Sequence, residues 1–159
     1  MKDWARSLLE ERRYAVLGTQ DPDGTPHLTP VWYLFRDDEL FIDAESFSRK
    51  VRNIKTNPRV SFVIDVRDPG TERWVAGLGP ATIVDGADAQ RINREIFERY
   101  LTPEALSHEA LGPAFAGAND VTIRVRPEQW RSWSAIELDE QYFGGLIGTD
   151  PAKWFRPVD

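Results

Sequence analysis

The spacing of apolar residues along the chain changes several times, and each change predicts an element. Apolar residues on one side of the segment 3–13, including Trp4 and Leu8, predict a short amphipathic helix. Alternating or continuous apolar runs, separated by turns rich in Asp, Pro and Gly, then predict strands. The predicted strands cover residues 14–19, 26–35, 40–43, 60–66, 73–84 and 120–127.

Three further segments carry helical patterns. Val51 and Ile54 lie three apart in the segment 49–56, which Asn57-Pro58 ends. The pattern over 88–100 predicts the longest helix, and a looser helical or irregular piece covers 103–117. The segment 128–133 is predicted to continue the last strand past a kink at Pro127.

The predicted elements indicate a fold class. About six antiparallel strands, mostly sequential neighbours, have helices in their connections, and the first three are predicted to form a meander. Gly77 and Gly79 inside one strand predict a bulge or a close approach by another backbone. The pattern predicts a mainly β, α+β protein: a Greek-key or meander barrel with helical inserts. We expect one domain over residues 1–159, with 136–159 as a C-terminal extension.

Composition narrows the possible chemistry. The chain has no cysteine and two histidines, which excludes thiol chemistry and disfavours a histidine-rich metal centre, so no metal is predicted. No long apolar run or signal-peptide pattern occurs, so we expect a cytoplasmic protein without a membrane partner. The net charge of -6 argues against nucleic acid as a partner.

The segment 46–59 reverses this acidic balance, because it has five Lys or Arg residues and no acidic residue. This segment has the features of an anion site: it follows a strand, Ser46 or Ser48 is the predicted helix N-cap, and the first helical turn is basic. Arg49, Lys50 and Arg52 would add charge-assisted hydrogen bonds to a phosphate. The alternative is a solvated cationic face that pairs with Asp43, Glu45 or Asp65. Both interpretations remain open at this stage.

A second notable segment is 27–33, where Pro30 interrupts a strand. Proline in a strand marks an edge or a bulge, and it leaves the Thr29 hydroxyl free to face a ligand; a plain edge strand is the alternative. His27 has the chemistry of a general acid or base, or is simply exposed beside a turn. Because the chain has no nucleophile elbow, we expect a bound cofactor to supply the chemistry.

Several motifs together resemble a known family. Residues 14–19, the run Asp23-Gly24-x-Pro26-His27-x-Thr29-Pro30-Val31-Trp32, the run Ser48-Arg49-Lys50-Val51-Arg52-Asn53 and residues 57–60 resemble the pyridoxamine 5'-phosphate oxidase-like, FMN-binding split β-barrel superfamily. They are most similar to its short members that use the deazaflavin coenzyme F420.

The resemblance implies a homodimer with cofactor sites at the subunit interface. It implies that the strand 27–32 lines the flavin ring and that the segment 44–52 meets the ribityl and phosphate groups. Residues of the partner chain would complete the pocket. The cofactor-binding residues implied in this way are His27, Thr29, Pro30, Val31, Trp32, Ala44, Ser48, Arg49, Lys50, Arg52 and Asn53, with Trp74, Arg131 and Trp133 as candidates from the partner chain.

The expected function is an oxidoreductase that uses F420 for hydride transfer with a small conjugated or aromatic acceptor. The surplus of basic residues between Arg49 and Arg59 favours F420, which has a longer polyanionic tail than FMN. The alternatives are an FMN-dependent oxidase or reductase of the same superfamily and a non-enzymatic flavin- or haem-binding protein. No catalytic residue is predicted from the sequence.

Overall fold

The computed structural model describes residues 1–115 and 120–157. The described residues form eight strands: β1 (Ala15–Gln20), β2 (Pro26–Val31), β3 (Leu34–Arg36), β4 (Glu39–Glu45), β5 (Arg59–Val66), β6 (Arg73–Val84), β7 (Asp120–Val125) and β8 (Gln129–Ser134). They also form the helices α1 (Asp3–Glu10), α2 (Arg49–Thr56), α3 (Gly86–Tyr100), α4 (Pro103–Ser107), α5 (Gly112–Phe115), α6 (Ala135–Phe143), α7 (Leu146–Thr149) and α8 (Pro151–Trp154). Among the helices of these described residues, none has the length and apolar character needed to cross a bilayer.

The strands form one curled antiparallel sheet with the order β2-β1-β5-β6-β7-β4-β3. Strand β6 joins its two halves. Residues Arg73–Leu78 of β6 pair with β8, whereas Ala81–Val84 pair with β7. The whole is an α+β half-barrel with helices in its connections, so the predicted split-barrel fold is confirmed.

Gly79 lies where β6 passes from one half to the other. A side chain at Gly79 would overlap the backbone carbonyl of Arg126, so the predicted close approach of two backbones is confirmed. Ala81 of β6 pairs with Val125, and Leu78 of β6 pairs with Gln129. The segment between Val125 and Gln129, which contains Pro127, is therefore one residue longer than the part of β6 that faces it. Strand β8 therefore continues β7 along the same edge of β6 past a bulge, as predicted.

Two predictions about the strands need correction. The predicted strand 26–35 is two strands, because the chain leaves β2 at Val31 and begins β3 at Leu34 at the opposite end of the sheet order. Strand β4 pairs with β3 and β7 and not with β2, so the first three predicted strands do not form a meander. With β8 as a separate strand, the described residues hold eight strands where about six were expected.

The helices follow the predictions more closely. Helix α2 has the predicted bounds, α1 ends three residues early, and α3 begins two residues early. The segment 103–117 forms α4 and α5, and its last two residues lie outside the described part. The extension 136–159 forms most of α6 together with α7 and α8, up to its last two residues, which also lie outside.

The core fills the curve of the sheet and is closed by α1. Leu8 and Leu9 of α1 and Tyr33 are fully buried there, together with strand residues such as Leu17 and Ile64. The Tyr33 hydroxyl donates to the Glu11 carbonyl over 3.0 Å. Helix α3 packs on the other face of β4 and β7 and buries a second, smaller apolar cluster of Phe41, Ile92 and Ile96. The segments 30–32 and 43–50 lie at the rim of this core, where the site described next is found.

Candidate functional site

A cavity of about 210 Å³ lies in the opening of the barrel, where β2 ends. Strand β3 pairs with residues 39–41 of β4, so the end of β4 projects beyond it. The cavity is bordered by Tyr14, the end of β2, the end of β4 and the start of α2. The lining residues are Tyr14, Pro30, Val31, Trp32, Asp43, Glu45 and Lys50.

Trp32 forms a fixed aromatic wall of this cavity. Its ring stacks on Tyr100 with a centroid separation of 5.0 Å and an angle of 5° between the planes. Phe97 meets it edge-on at 6.4 Å, and Phe115 lies at 6.3 Å. The Tyr100 hydroxyl is itself held by the backbone carbonyl of Arg13. These contacts fix the plane of the indole, which suits a site for a flat ligand.

Strand β2 is an edge strand, as Pro30 suggested, and only its end reaches the cavity. Pro30 lines the cavity together with Val31 and Trp32. His27 and Thr29 do not line it; they bond to each other, with 3.0 Å between the ring Nε2 and the hydroxyl oxygen. The two polar residues of β2 are therefore placed apart from the aromatic wall.

Charged groups also line the cavity. The Lys50 side chain is only 14% exposed, and its Nζ lies 3.8 Å from a Glu45 carboxylate oxygen. Asp43 is half-buried beside them. Burial raises the pKa of Asp43 from 3.8 to about 6; Asp120 and Glu45 add to this rise, whereas the positive charge of Lys50 opposes it.

Arg49 points away from this cavity toward the β1–β2 turn. It donates to both carboxylate oxygens of Asp21, with 2.8 Å between Nε and Oδ1. Asn53 is buried, and its Nδ2 donates to Asp21 over 2.9 Å and to the Thr19 hydroxyl over 3.1 Å. The bond from Asn53 and then the bonds from Arg49 lower the pKa of Asp21. This network fixes the start of α2 against β1.

The first turn of α2 keeps free hydrogen-bonding groups. Ser48 is the N-cap, but its side chain makes no capping hydrogen bond. Within the described part of the chain, the Ser48 hydroxyl oxygen is buried without a hydrogen-bond partner. The first N–H groups of a helix have no partner within the helix, so they remain available here. Arg52 donates to the Phe47 carbonyl at the same turn.

The structure thus distributes the predicted basic residues around the start of α2. Lys50 faces the cavity, Arg49 bonds to Asp21, and Arg52 bonds to a backbone carbonyl. Each has a partner within the chain, as in the alternative interpretation of a paired cationic face. The unpartnered Ser48 hydroxyl, in contrast, is the feature that an anion site would have.

The remaining predicted residues lie elsewhere. Ala44 is buried in the core, since it alternates along β4 with Asp43 and Glu45. Trp74 of β6 pairs with Trp133 of β8, and Arg131 beside them pairs with Ala76. These residues lie on the face of the sheet formed by β6 and β8 and do not line the Trp32 cavity.

Four polar residues of the site were not predicted as site residues. Asp43 and Glu45 were expected only as salt-bridge partners, Tyr14 only as the start of a strand within a family motif, and Asp21 only as part of a turn. One signal was available for Asp43, because a carboxylate at the end of the apolar run 40–42 breaks the pattern of that strand.

Comparison with known proteins identifies relatives of this architecture. The family model described as pyridoxamine 5'-phosphate oxidase matches residues 1–134. A conserved hypothetical protein from Mycobacterium tuberculosis is 31% identical, with a TM-score of 0.74 over 87% of this chain and 88% of that one. An F420 reductase is 30% identical, with a TM-score of 0.64 over 82% of this chain and 98% of that one.

A third solved structure, a putative pyridoxamine 5'-phosphate oxidase from Listeria innocua, is 22% identical and shares the fold. Its TM-score is 0.64 over 82% of this chain and 95% of that one. No curated protein matches the sequence.

Proposed function

Since the chain belongs to the pyridoxamine 5'-phosphate oxidase family, we propose that it is an oxidoreductase that binds the deazaflavin F420 and transfers hydride to a small conjugated or aromatic acceptor. We further propose that it acts in the cytoplasm as a homodimer, with residues 1–159 forming one cofactor-binding domain. The similarity to an F420 reductase over most of both chains supports the choice of cofactor.

One observation carries this proposal: free anion-binding groups lie next to an aromatic-walled cavity. The unpartnered Ser48 hydroxyl and the open first turn of α2 directly precede Lys50, whose side chain lines the cavity together with Trp32. A phosphate at this turn would accept hydrogen bonds from backbone N–H groups, which the positive end of the helix dipole strengthens. The residues present therefore fit a cofactor that joins a flat ring to a phosphate.

Different residues of the chain would contact different parts of the cofactor. Trp32 and Pro30 would contact the ring, and Ser48 and Lys50 would contact the phosphate end. Asp21 and Asn53 would hold Arg49 and the helix start in place. The bound deazaflavin would supply the hydride, and the protein would orient the acceptor and exclude water.

A second copy of the chain would complete the site. The cavity of about 210 Å³ is smaller than the roughly 300 Å³ at which ligand pockets typically begin, so one chain provides only part of a pocket. One face of the sheet exposes large apolar side chains, with Leu28 at 66% and Trp133 at 39%. A partner seated on this face would bring its own Trp74 and Arg131 close to the cavity.

The first experiment compares cofactors. The purified, cofactor-free protein is titrated with F420 and with FMN, and binding is followed by fluorescence. We expect tight binding of F420 and weak binding of FMN. Tight binding of FMN alone would favour the FMN-dependent alternative, and binding of either cofactor without turnover across a panel of acceptors would favour a carrier. If neither cofactor binds even when its concentration is raised well above the micromolar range, the proposal fails.

The second experiment tests the anion site. Replacing Arg49 and Lys50 together by Ala removes one charge-assisted hydrogen bond from Lys50, of about 1.5–3 kcal/mol, and releases the helix start that Arg49 holds to Asp21, so affinity should fall at least about 10-fold. The matched control replaces two exposed cations of α3, Arg91 and Arg94, by Ala. Affinity of the first variant equal to that of the control would exclude the start of α2 as the phosphate site.

A further inference from the structure

Asp43 stands out among the ionisable groups of the barrel opening, because its carboxyl lines a cavity wall and is half-buried. Its neighbour on β7 is Thr122, whose hydroxyl is already committed to Asn93 over 2.7 Å. The carboxyl therefore faces the space that a ligand would occupy.

The charges around Asp43 come from three elements. Lys50 of α2 brings one positive charge, whereas Glu45 of β4 and Asp120 at the start of β7 bring negative charges. Tyr14 is the other titratable group on the cavity wall. Three carboxyl groups and one ammonium group share this region, and Asp43 is the carboxyl with the largest burial penalty. These surroundings make Asp43 hold its proton to a higher pH than an exposed aspartate does.

We propose that Asp43 is the proton donor of this cavity, which protonates the acceptor that receives hydride there. The inference rests on the proposed function, because a reduced deazaflavin or flavin is the source of the hydride. It assigns a catalytic residue where the sequence predicted none. It also narrows the acceptor to a compound whose reduction requires a proton, such as one with a conjugated C=C bond.

The proton requirement follows from the balance of the reaction. Hydride brings two electrons and one hydrogen nucleus, and it forms a C–H bond at one end of the acceptor double bond. The π electrons move to the other end, where a new bond to hydrogen forms as the O–H bond of Asp43 breaks. The acceptor gains two hydrogens, the cofactor is oxidised, and Asp43 remains as a carboxylate. Solvent water then restores its proton.

The experiment compares Asp43→Asn and Asp43→Glu with the wild type and with Asp88→Asn, which removes an exposed carboxylate from α3. Carboxyl ¹³C NMR of the cofactor-free protein follows the titration of Asp43. Fluorescence titration measures F420 affinity. Single-turnover oxidation of reduced F420 is followed with cyclohex-2-enone and with menadione as probe acceptors.

We expect Asp43 to titrate near pH 6 in the cofactor-free protein. Asp43→Asn should bind F420 within about threefold of the wild type and oxidise the reduced cofactor at least about 100-fold more slowly. Its rate should lose the decline above pH 6 that the wild type shows. Asp43→Glu should recover part of the rate, and Asp88→Asn should match the wild type.

Other results would overturn the inference and separate it from the proposed function. Turnover by Asp43→Asn within threefold of the wild type would exclude a proton donor but leave the F420 enzyme intact. A more than 30-fold loss of affinity would make Asp43 a cofactor ligand instead. If wild-type protein binds F420 but the reduced cofactor is oxidised by neither probe, the proton donor is rejected and the carrier alternative is favoured. If it does not bind F420 at all, both proposals are rejected.

Discussion

Replacing Asp43 by Asn should stabilise the protein at neutral and alkaline pH. In the folded chain the pKa of Asp43 is raised from 3.8 to about 6 by burial, so the folded state holds this proton more tightly than the unfolded state does. The favourable contribution of the protonated carboxyl is complete below about pH 4. It is lost as the pH rises through about 6, where the folded state must bury a carboxylate.

The size of the effect follows from the two pKa values. Each pKa unit corresponds to about 1.4 kcal/mol, so ionisation of Asp43 costs the folded state about 3 kcal/mol at pH 8 relative to pH 4. The Asn variant avoids this cost, although Lys50 then loses an opposite charge. We therefore expect a net gain of about 1–3 kcal/mol at pH 8 and almost none at pH 4.

Urea unfolding of wild type and Asp43→Asn between pH 4 and pH 8.5 measures this difference. At each pH, the free energy of unfolding of the wild type is subtracted from that of Asp43→Asn. Contributions from groups that titrate in the same way in both proteins cancel in this difference. The difference should grow between pH 4 and about pH 7 and then level off. A difference that stays constant over this range would refute the raised pKa and the buried position of the carboxyl.

Three further substitutions test the fold around the site. Tyr33→Phe should lower the free energy of unfolding by about 1 kcal/mol, because the Glu11 carbonyl loses its buried donor. Gly79→Ala should cost about 2 kcal/mol or more, since the new methyl group would overlap the Arg126 carbonyl. Asp139→Ala should speed amide exchange in α7 at least tenfold, because its carboxylate accepts bonds from two backbone N–H groups there.

Each of these substitutions has a control or a contradicting result. Tyr14→Phe removes an exposed hydroxyl and should change unfolding by less than about 0.5 kcal/mol. Gly148→Ala adds a methyl group at an ordinary contact distance of 3.5 Å, so a cost equal to that of Gly79→Ala would contradict the close approach. Unchanged exchange in α7 of Asp139→Ala would mean that its carboxylate does not hold that helix.

Local chemistry allowed some of these features to be predicted. Helix α2 has the predicted bounds because its serine N-cap, its apolar face and the Asn57-Pro58 stop are all encoded within ten residues. The break between β2 and β3 was missed, since Trp32 and Tyr33 are good strand residues and only the tertiary structure bends the chain there. Tyr33 enters the core, whereas Trp32 is held by α3.

The chemistry of the site was less accessible, because it depends on contacts between distant residues. Asp21 resembles an ordinary turn residue, and it becomes a buried anchor only when α2 brings Arg49 and Asn53 to it. Asp43 likewise resembles a polar strand end until Glu45, Asp120 and Lys50 surround it. The helix start and the strand that border the site could be predicted from the residue pattern, but the carboxylates between them could not.

The position of β6 also determines how the barrel can open. Both halves of the sheet depend on β6, so its loss would expose the core on two sides, whereas β2 and β3 lie at the two ends of the strand order. End strands separate at a lower free-energy cost than central ones. The chain between β2 and β3 carries Trp32, whose stacking on Tyr100 ties this part of the cavity wall to α3. Local unfolding at either end of the strand order would therefore leave β6 and its neighbours paired.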